Sequence, residues 1–240
     1  MTKEKNEQGF DVSTSSPHPI GEILTEHLLR SNAPLPVAYR KHRAEEASNK
    51  PWSVQTAQFS LFAPGINSPA GQHPYKQGTL MDVYRWMNSV NLMNLTNELR
   101  AIEDEKKQKL YKASHLPFAT FSGTFSYRNQ QGLLQHSGLL CFDFDHLGGK
   151  ENLWRVRNLL EHDGYFETVL MFTSPRGDGV KWVTHINLER GSHEKWYRAI
   201  RNYLWQTYGL EADSAPANVA SACFLCWDAN MMVHPSLGLF

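Results

Sequence analysis

The chain has 240 residues, and its 24 basic and 24 acidic side chains cancel, so no global field draws it to nucleic acid, although a local basic groove is compatible with that total. Hydrophobic residues make up 41% and aromatics 12%, enough for the core of one large domain, alone or with an extension. No apolar run approaches the roughly 20 residues of a membrane helix. The N-terminal residues lack a signal peptide's apolar segment, and three cysteines suit a reducing cytoplasm better than a disulfide framework.

In chain order, residues 1–53 read as a flexible extension rich in polar residues and proline. Within it a short helix is expected over residues 20–30, with Ile20, Ile23, Leu24, His27 and Leu28 on one stripe. Residues 54–240 form the compact domain. Residues 54–62 read as a first strand, stopped by Pro64-Gly65. Thr79 is an N-cap with Asp82 in the first turn, and a helix follows through Val83, Trp86 and Met87. A second helix is expected over residues 95–112, its charge run at 103–109 facing water.

Residues 133–145 read as a strand interrupted by Ser137-Gly138, followed by a glycine turn at 147–149 and a helix over 151–161. Residues 168–173 and 180–187 read as strands joined by the loop Ser174-Pro-Arg-Gly-Asp-Gly179. Ser192 caps a strong helix ended by Gly209, and residues 222–227 form a last strand. Strands in hairpin-like pairs alternating with single helices predict an α+β fold with a mostly antiparallel sheet flanked by helices.

Three clusters carry chemistry. Asp143 and Asp145 lie one residue apart at a strand end, so they share a face. Held side by side, two carboxylates repel unless a cation lies between them, and such a pair can hold Mg²⁺ or Mn²⁺. An isolated Asp-x-Asp is more often a solvated strand end, so the other clusters carry weight. In the second cluster, Gly177 and Gly179 permit positive φ and close backbone approach. Such a loop presents amides to phosphate, with Arg176 and Lys181 adding charge at its edges. Lys181, Val183 and His185 share one strand face. The third is Asp213, with Asp228 beyond it. Cys223 and Cys226 have C-x-x-C spacing but no second pair, which favours core packing over zinc.

The ordered set Leu116-Pro-x-x-Thr-x-Ser-Gly123, Tyr127-Arg128, Ser137-Gly-Leu-Leu-x-Phe-Asp-x-Asp145, Ser174-Pro-Arg-Gly-Asp-Gly-Val-Lys181, Tyr208-Gly-x-x-x-Asp213 and Cys223-Phe-x-x-x-Asp228 resembles the VirE N-terminal-domain family of bacterial mobile elements. That family is similar to the archaeo-eukaryotic primases, or primase-polymerases. The resemblance covers roughly residues 54–235, most of the chain outside the N-terminal extension. It implies a primase-polymerase-like fold, with Asp143, Asp145 and Asp213 as catalytic carboxylates and ligands of Mg²⁺ or Mn²⁺. It implies nucleotide binding by Ser174, Arg176, Gly177, Gly179 and Lys181, with Lys181 standing where primases carry His, and a phosphate-facing role for Arg128. The implied partners are a single-stranded DNA template, nucleoside triphosphates and a helicase or replication protein, in the cytoplasm and away from membranes.

At one position the chain departs from the family: Ser221 stands where members carry Arg shortly before Cys-Phe. Losing a cation beside a triphosphate weakens its binding. The leading expectation is metal-dependent nucleotidyl transfer on a DNA template. The alternatives are a catalytically degenerate primase fold that only binds DNA or nucleotides, and a metal-dependent nuclease using the same carboxylates.

Overall fold

The structure, a computed structural model, describes residues 53–239; the helix expected over 20–30 lies outside the described residues. Among the described residues, ten short strands and five α-helices build an α+β fold in which every strand pairing is antiparallel. The first sheet has the order β2-β1-β3-β9, from β1 (Phe59–Phe62), β2 (Lys76–Gly78), β3 (Phe118–Thr120) and β9 (Cys223–Phe224). The second has the order β10-β7-β8-β6, from β6 (Leu139–Phe144), β7 (Thr168–Thr173), β8 (Val180–His185) and β10 (Met232–Val233). β4 (Gly123–Phe125) and β5 (Leu133–His136) form a separate hairpin.

The helices are α1 (Leu80–Met87), α2 (Val90–Ala101), α3 (Glu105–His115), α4 (Lys150–Glu161) and α5 (His193–Tyr208). Strand alternation decides which layer each face meets. Leu140, Phe142 and Phe144 of β6 and Val180 and Trp182 of β8 pack with Leu153, Val156 and Leu160 of α4 and Trp196, Ile200 and Leu204 of α5. Leu139, Cys141 and Val183, on the opposite face, pack with Phe59, Leu61 and Ala119 of the first sheet and with apolar residues of α1 and α2. The second sheet is therefore covered by helices on one side and by the first sheet on the other. Asp143 shares the parity of Leu139 and Cys141 and faces the first-sheet side.

The capping signals act where expected. Thr79 and Asp82 form a reciprocal capping box. The Ser192 hydroxyl accepts from Lys195 N, and Gly209 closes α5 at φ 65°. Four boundaries differ from the sequence reading. Residues 54–56 form a 3-10 turn, so the first strand starts at Phe59. The helix expected over 95–112 is two helices: Ile102 is extended, and the Asp104 carboxylate accepts from Lys107 N at 2.8 Å, capping a fresh start.

Residues 133–145 form two strands in different sheets, because Gly138 at φ 79° redirects the chain between β5 and β6. The last strand shrinks to Cys223–Phe224: Leu225 N still donates to Pro117 O, the residue opposite it in register, but proline has no N–H to return the bond. Among the described residues no helix is long and apolar enough to cross a membrane.

Candidate metal and nucleotide site

β6 is the edge strand of the second sheet, and its C-terminal end carries Asp143, with Asp145 just beyond. The chain turns sharply there, with His146 in the left-handed region at φ 55°, uncommon for a residue with a side chain. The turn is tied down by Leu147 N donating to Asp178 O at 2.9 Å. Asp213 follows α5 in sequence and reaches the same edge. Its backbone N donates to Asp143 O at 2.9 Å, its carboxylate accepts from Ala215 N at 3.1 Å, and the Tyr197 hydroxyl donates to its carbonyl.

Asp143, Asp145 and Asp213, distant in sequence, therefore converge, each offering a carboxylate oxygen within 4.8 Å of the others. One ion bound at about 2.1 Å spans oxygens at most about 4.2 Å apart, so a small inward movement of the side chains or a pair of ions would let all three carboxylates take part. Asp143 Oδ2 is paired with Lys181, its direct cross-strand neighbour on β8. Asp143 Oδ1 is buried with no hydrogen-bond partner. A buried carboxylate oxygen without a donor is costly unless a cation uses it, and with two further carboxylates beside it the donor set fits a hard divalent ion.

The glycine loop seals one side of this edge. Ser174 N donates to Gly179 O at 2.8 Å and Gly177 N to Ser174 O at 2.9 Å, so these two amides are used inside the loop. The Ser174 hydroxyl donates to Asp178 Oδ1 at 3.1 Å, and Arg176 pairs with Asp178 at 3.3 Å. Gly177 has φ 86°. Gly179 is not in the left-handed region; it is required by close approach, since a Cβ there would lie 2.3 Å from Phe144 O.

Arg128 donates to Gly71 O at 2.8 Å and lies over the Phe118 ring at 5.5 Å, so its described partners are in the first sheet and its connecting loop rather than the carboxylate edge. Asp228 is buried in a structural network: it pairs with the buried Arg157 at 3.1 Å and accepts from Thr173 N at 2.7 Å. Cys223 and Cys226 are both buried, and burial pushes the Cys226 thiol up to about 12.

Two cations of the site escape sequence reading. Arg100, at the end of α2, donates to Pro175 O at 3.1 Å and Ser174 O at 3.2 Å, holding the glycine loop from behind. Lys112, in the last turn of α3, is half-buried. Burial lowers its ammonium pKa first, and nearby Lys181 and Arg176 lower it further, against the opposing pull of Asp145 and Asp178. Arg100 and Lys112 flank the charge run at 103–109, and neither carries a motif that would single it out in the sequence.

One protein-family profile, described as BT4734-like, N-terminal domain, matches residues 111–232, just over half the chain. The chain belongs to that family. BT4734-like N-terminal domains are related to the VirE N-terminal domains that the sequence motifs resemble. The matched stretch runs from the end of α3 to β10 and takes in all three converging carboxylates, the glycine loop and Lys112, while Arg100 lies outside it. No curated protein and no solved structure matches the chain.

Proposed function

We propose that this BT4734-like domain is primase-polymerase-like and performs metal-dependent nucleotidyl transfer on a single-stranded DNA template, within the replication or mobilisation machinery of a mobile element. The observation that carries the reading is the meeting of Asp143, Asp145 and Asp213 at one sheet edge, with a buried Asp143 oxygen lacking a donor. These residues would hold Mg²⁺ or Mn²⁺. The chemistry such ions supply when bound is activation of the attacking 3′-hydroxyl and neutralisation of charge on the departing pyrophosphate.

The chain's own residues set the geometry. Asp213 is positioned through its backbone bond to β6, so the third carboxylate moves with the strand that carries the first. Arg176 and Lys181 stand on either side of the glycine loop, where they orient an incoming triphosphate by charge-assisted contacts. Lys181 would shift part of its contact from Asp143 to a phosphate oxygen, leaving that carboxylate able to hold a metal ion.

A second reading, a binding module without turnover, is favoured by two observations. Lys181 is already committed to Asp143. Ser221, where the resemblance implies an Arg, donates its hydroxyl to Ala215 O at 2.5 Å.

Primer extension on single-stranded DNA with Mn²⁺ or Mg²⁺ separates the readings. Wild type is expected to extend, and Asp143→Asn and Asp145→Asn to lose at least ~100-fold in rate while still binding DNA. DNA binding with no extension by wild type favours the module. Template cleavage in the absence of triphosphates assigns the same carboxylates to a nuclease.

A further inference from the structure

We infer that Lys112 is a phosphate-binding residue of the nucleotide site, a cation supplied by the helical layer where the last strand supplies none. The inference rests on the nucleotidyl-transfer reading above and adds a residue to it. Lys106, Lys107 and Lys109 on the same helix are exposed, whereas Lys112 turns inward and its Nζ lies 5.3 Å from the centroid of Phe224, in β9. There the ammonium is within Coulomb reach of Lys181, Arg176, Asp145 and Asp178.

The charge balance singles it out. Lys181 is paired with Asp143 and Arg176 with Asp178, but no ion pair joins Lys112 to another described residue. Lys181 and Arg176 are each offset by an aspartate, so the Lys112 ammonium is the charge left to meet a phosphate. The loop amides of Ser174 and Gly177 are used within the loop, so side-chain cations carry much of the phosphate recognition. Ser221, in the turn leading to β9, is bonded back to Ala215 and Asn218. Lys112 approaches the same strand from α3. The ligand class that fits is a nucleoside triphosphate, bound through its phosphates.

The test is equilibrium binding of dATP, inorganic tripolyphosphate and deoxyadenosine to the full chain in Mn²⁺, comparing wild type with Lys112→Met and Lys112→Arg. Lys112→Met keeps the apolar stem over Phe224 and removes the charge. It is expected to weaken dATP and tripolyphosphate ~10- to 100-fold, as befits loss of one charge-assisted contact, and deoxyadenosine less than ~2-fold. Lys112→Arg is expected to retain most of the affinity, with melting temperatures of all three proteins alike. Unchanged dATP binding by Lys112→Met overturns this inference and leaves the parent reading standing. Equal losses for dATP and deoxyadenosine, or a lowered melting temperature with no rescue by Arg, assign Lys112 a packing role instead. Failure of wild type to bind dATP or tripolyphosphate overturns both readings together.

Discussion

Gly179 has no room for a side chain. A Cβ would meet Phe144 O at 2.3 Å, Asp145 Cα at 3.1 Å and Asp145 Oδ1 at 3.2 Å, so the loop and the carboxylate strand touch backbone to backbone. Gly179→Ala is expected to push Asp145 away from its two partners. Stability should fall by about 1–3 kcal/mol in urea unfolding, and Mn²⁺ affinity by at least ~10-fold in calorimetry; unchanged metal affinity would separate the loop from the site. Arg157 and Asp228 make a contrasting pair, buried together and away from the carboxylates. Removing one partner strands the other charge, so Asp228→Ala is expected to cost ~3–5 kcal/mol in denaturant unfolding. At this scale the sequence was informative where chemistry is local: alternation along β6 put Asp143 and Asp145 on one side, and register then set Lys181 opposite Asp143. It was silent on Arg100 and Lys112, because their partners lie in parts of the chain far from them in sequence. It also grouped Asp228 with Asp213, although one carboxylate is sealed by an arginine and the other is exposed.

The elements divide the work between scaffold and site. The second sheet and α5 supply the carboxylates, and α2 and α3 supply cations from the other side. α3 has no fully buried residue, so it depends on its caps and a few contacts such as Lys112 over Phe224. Its N-cap, Asp104, is consequently a sensitive point: Asp104→Ala is expected to cost ~1 kcal/mol and to raise amide exchange selectively across α3. Uniform exchange across the domain would contradict a separately capped helix. Helices with strong caps, α1 and α5, were legible because Thr79 with Asp82 and Ser192 with Gly209 are local signals. The break between α2 and α3 was missed because an aspartate within a charge run looks like any other solvated residue until it caps. The split of residues 133–145 into two sheets was missed for a related reason. A Ser-Gly pair signals an interruption, and only long-range pairing tells which sheet each half joins.

Across the whole molecule, the β4–β5 hairpin and the turn after Asp213 are joined by a pair of histidines. Gly138 N donates to His136 Nδ1 at 3.0 Å, His136 Nε2 and His193 Nδ1 are 3.1 Å apart, and His193 Nε2 is 2.9 Å from Pro216 O. This chain of bonds is satisfied when both rings are neutral, because His136 Nδ1 and His193 Nδ1 then accept. Burial, and then repulsion from His193, push the His136 ring down to about 4. The unfolded chain takes up that proton near pH 6.5, so between these values the unfolded state binds more protons. The stability contributed is complete above about pH 6.5 and is lost as pH falls towards 4, amounting to ~2 kcal/mol after allowance for partial solvent access. Thermal melts are expected to show a fall over that window that His136→Gln reduces; a slope unaffected by the substitution would place the titration elsewhere.

The proposed function stands or falls with a divalent-metal centre among the carboxylates drawn together at the end of β6. Anomalous diffraction from crystals grown with Mn²⁺ and a non-hydrolysable deoxynucleoside triphosphate measures this directly. Two Mn²⁺ peaks about 3.5–4 Å apart are expected, bounded by Asp143, Asp145 and Asp213, with the triphosphate reaching Lys181. No metal between these carboxylates, with Lys181 still bound to Asp143, would contradict it.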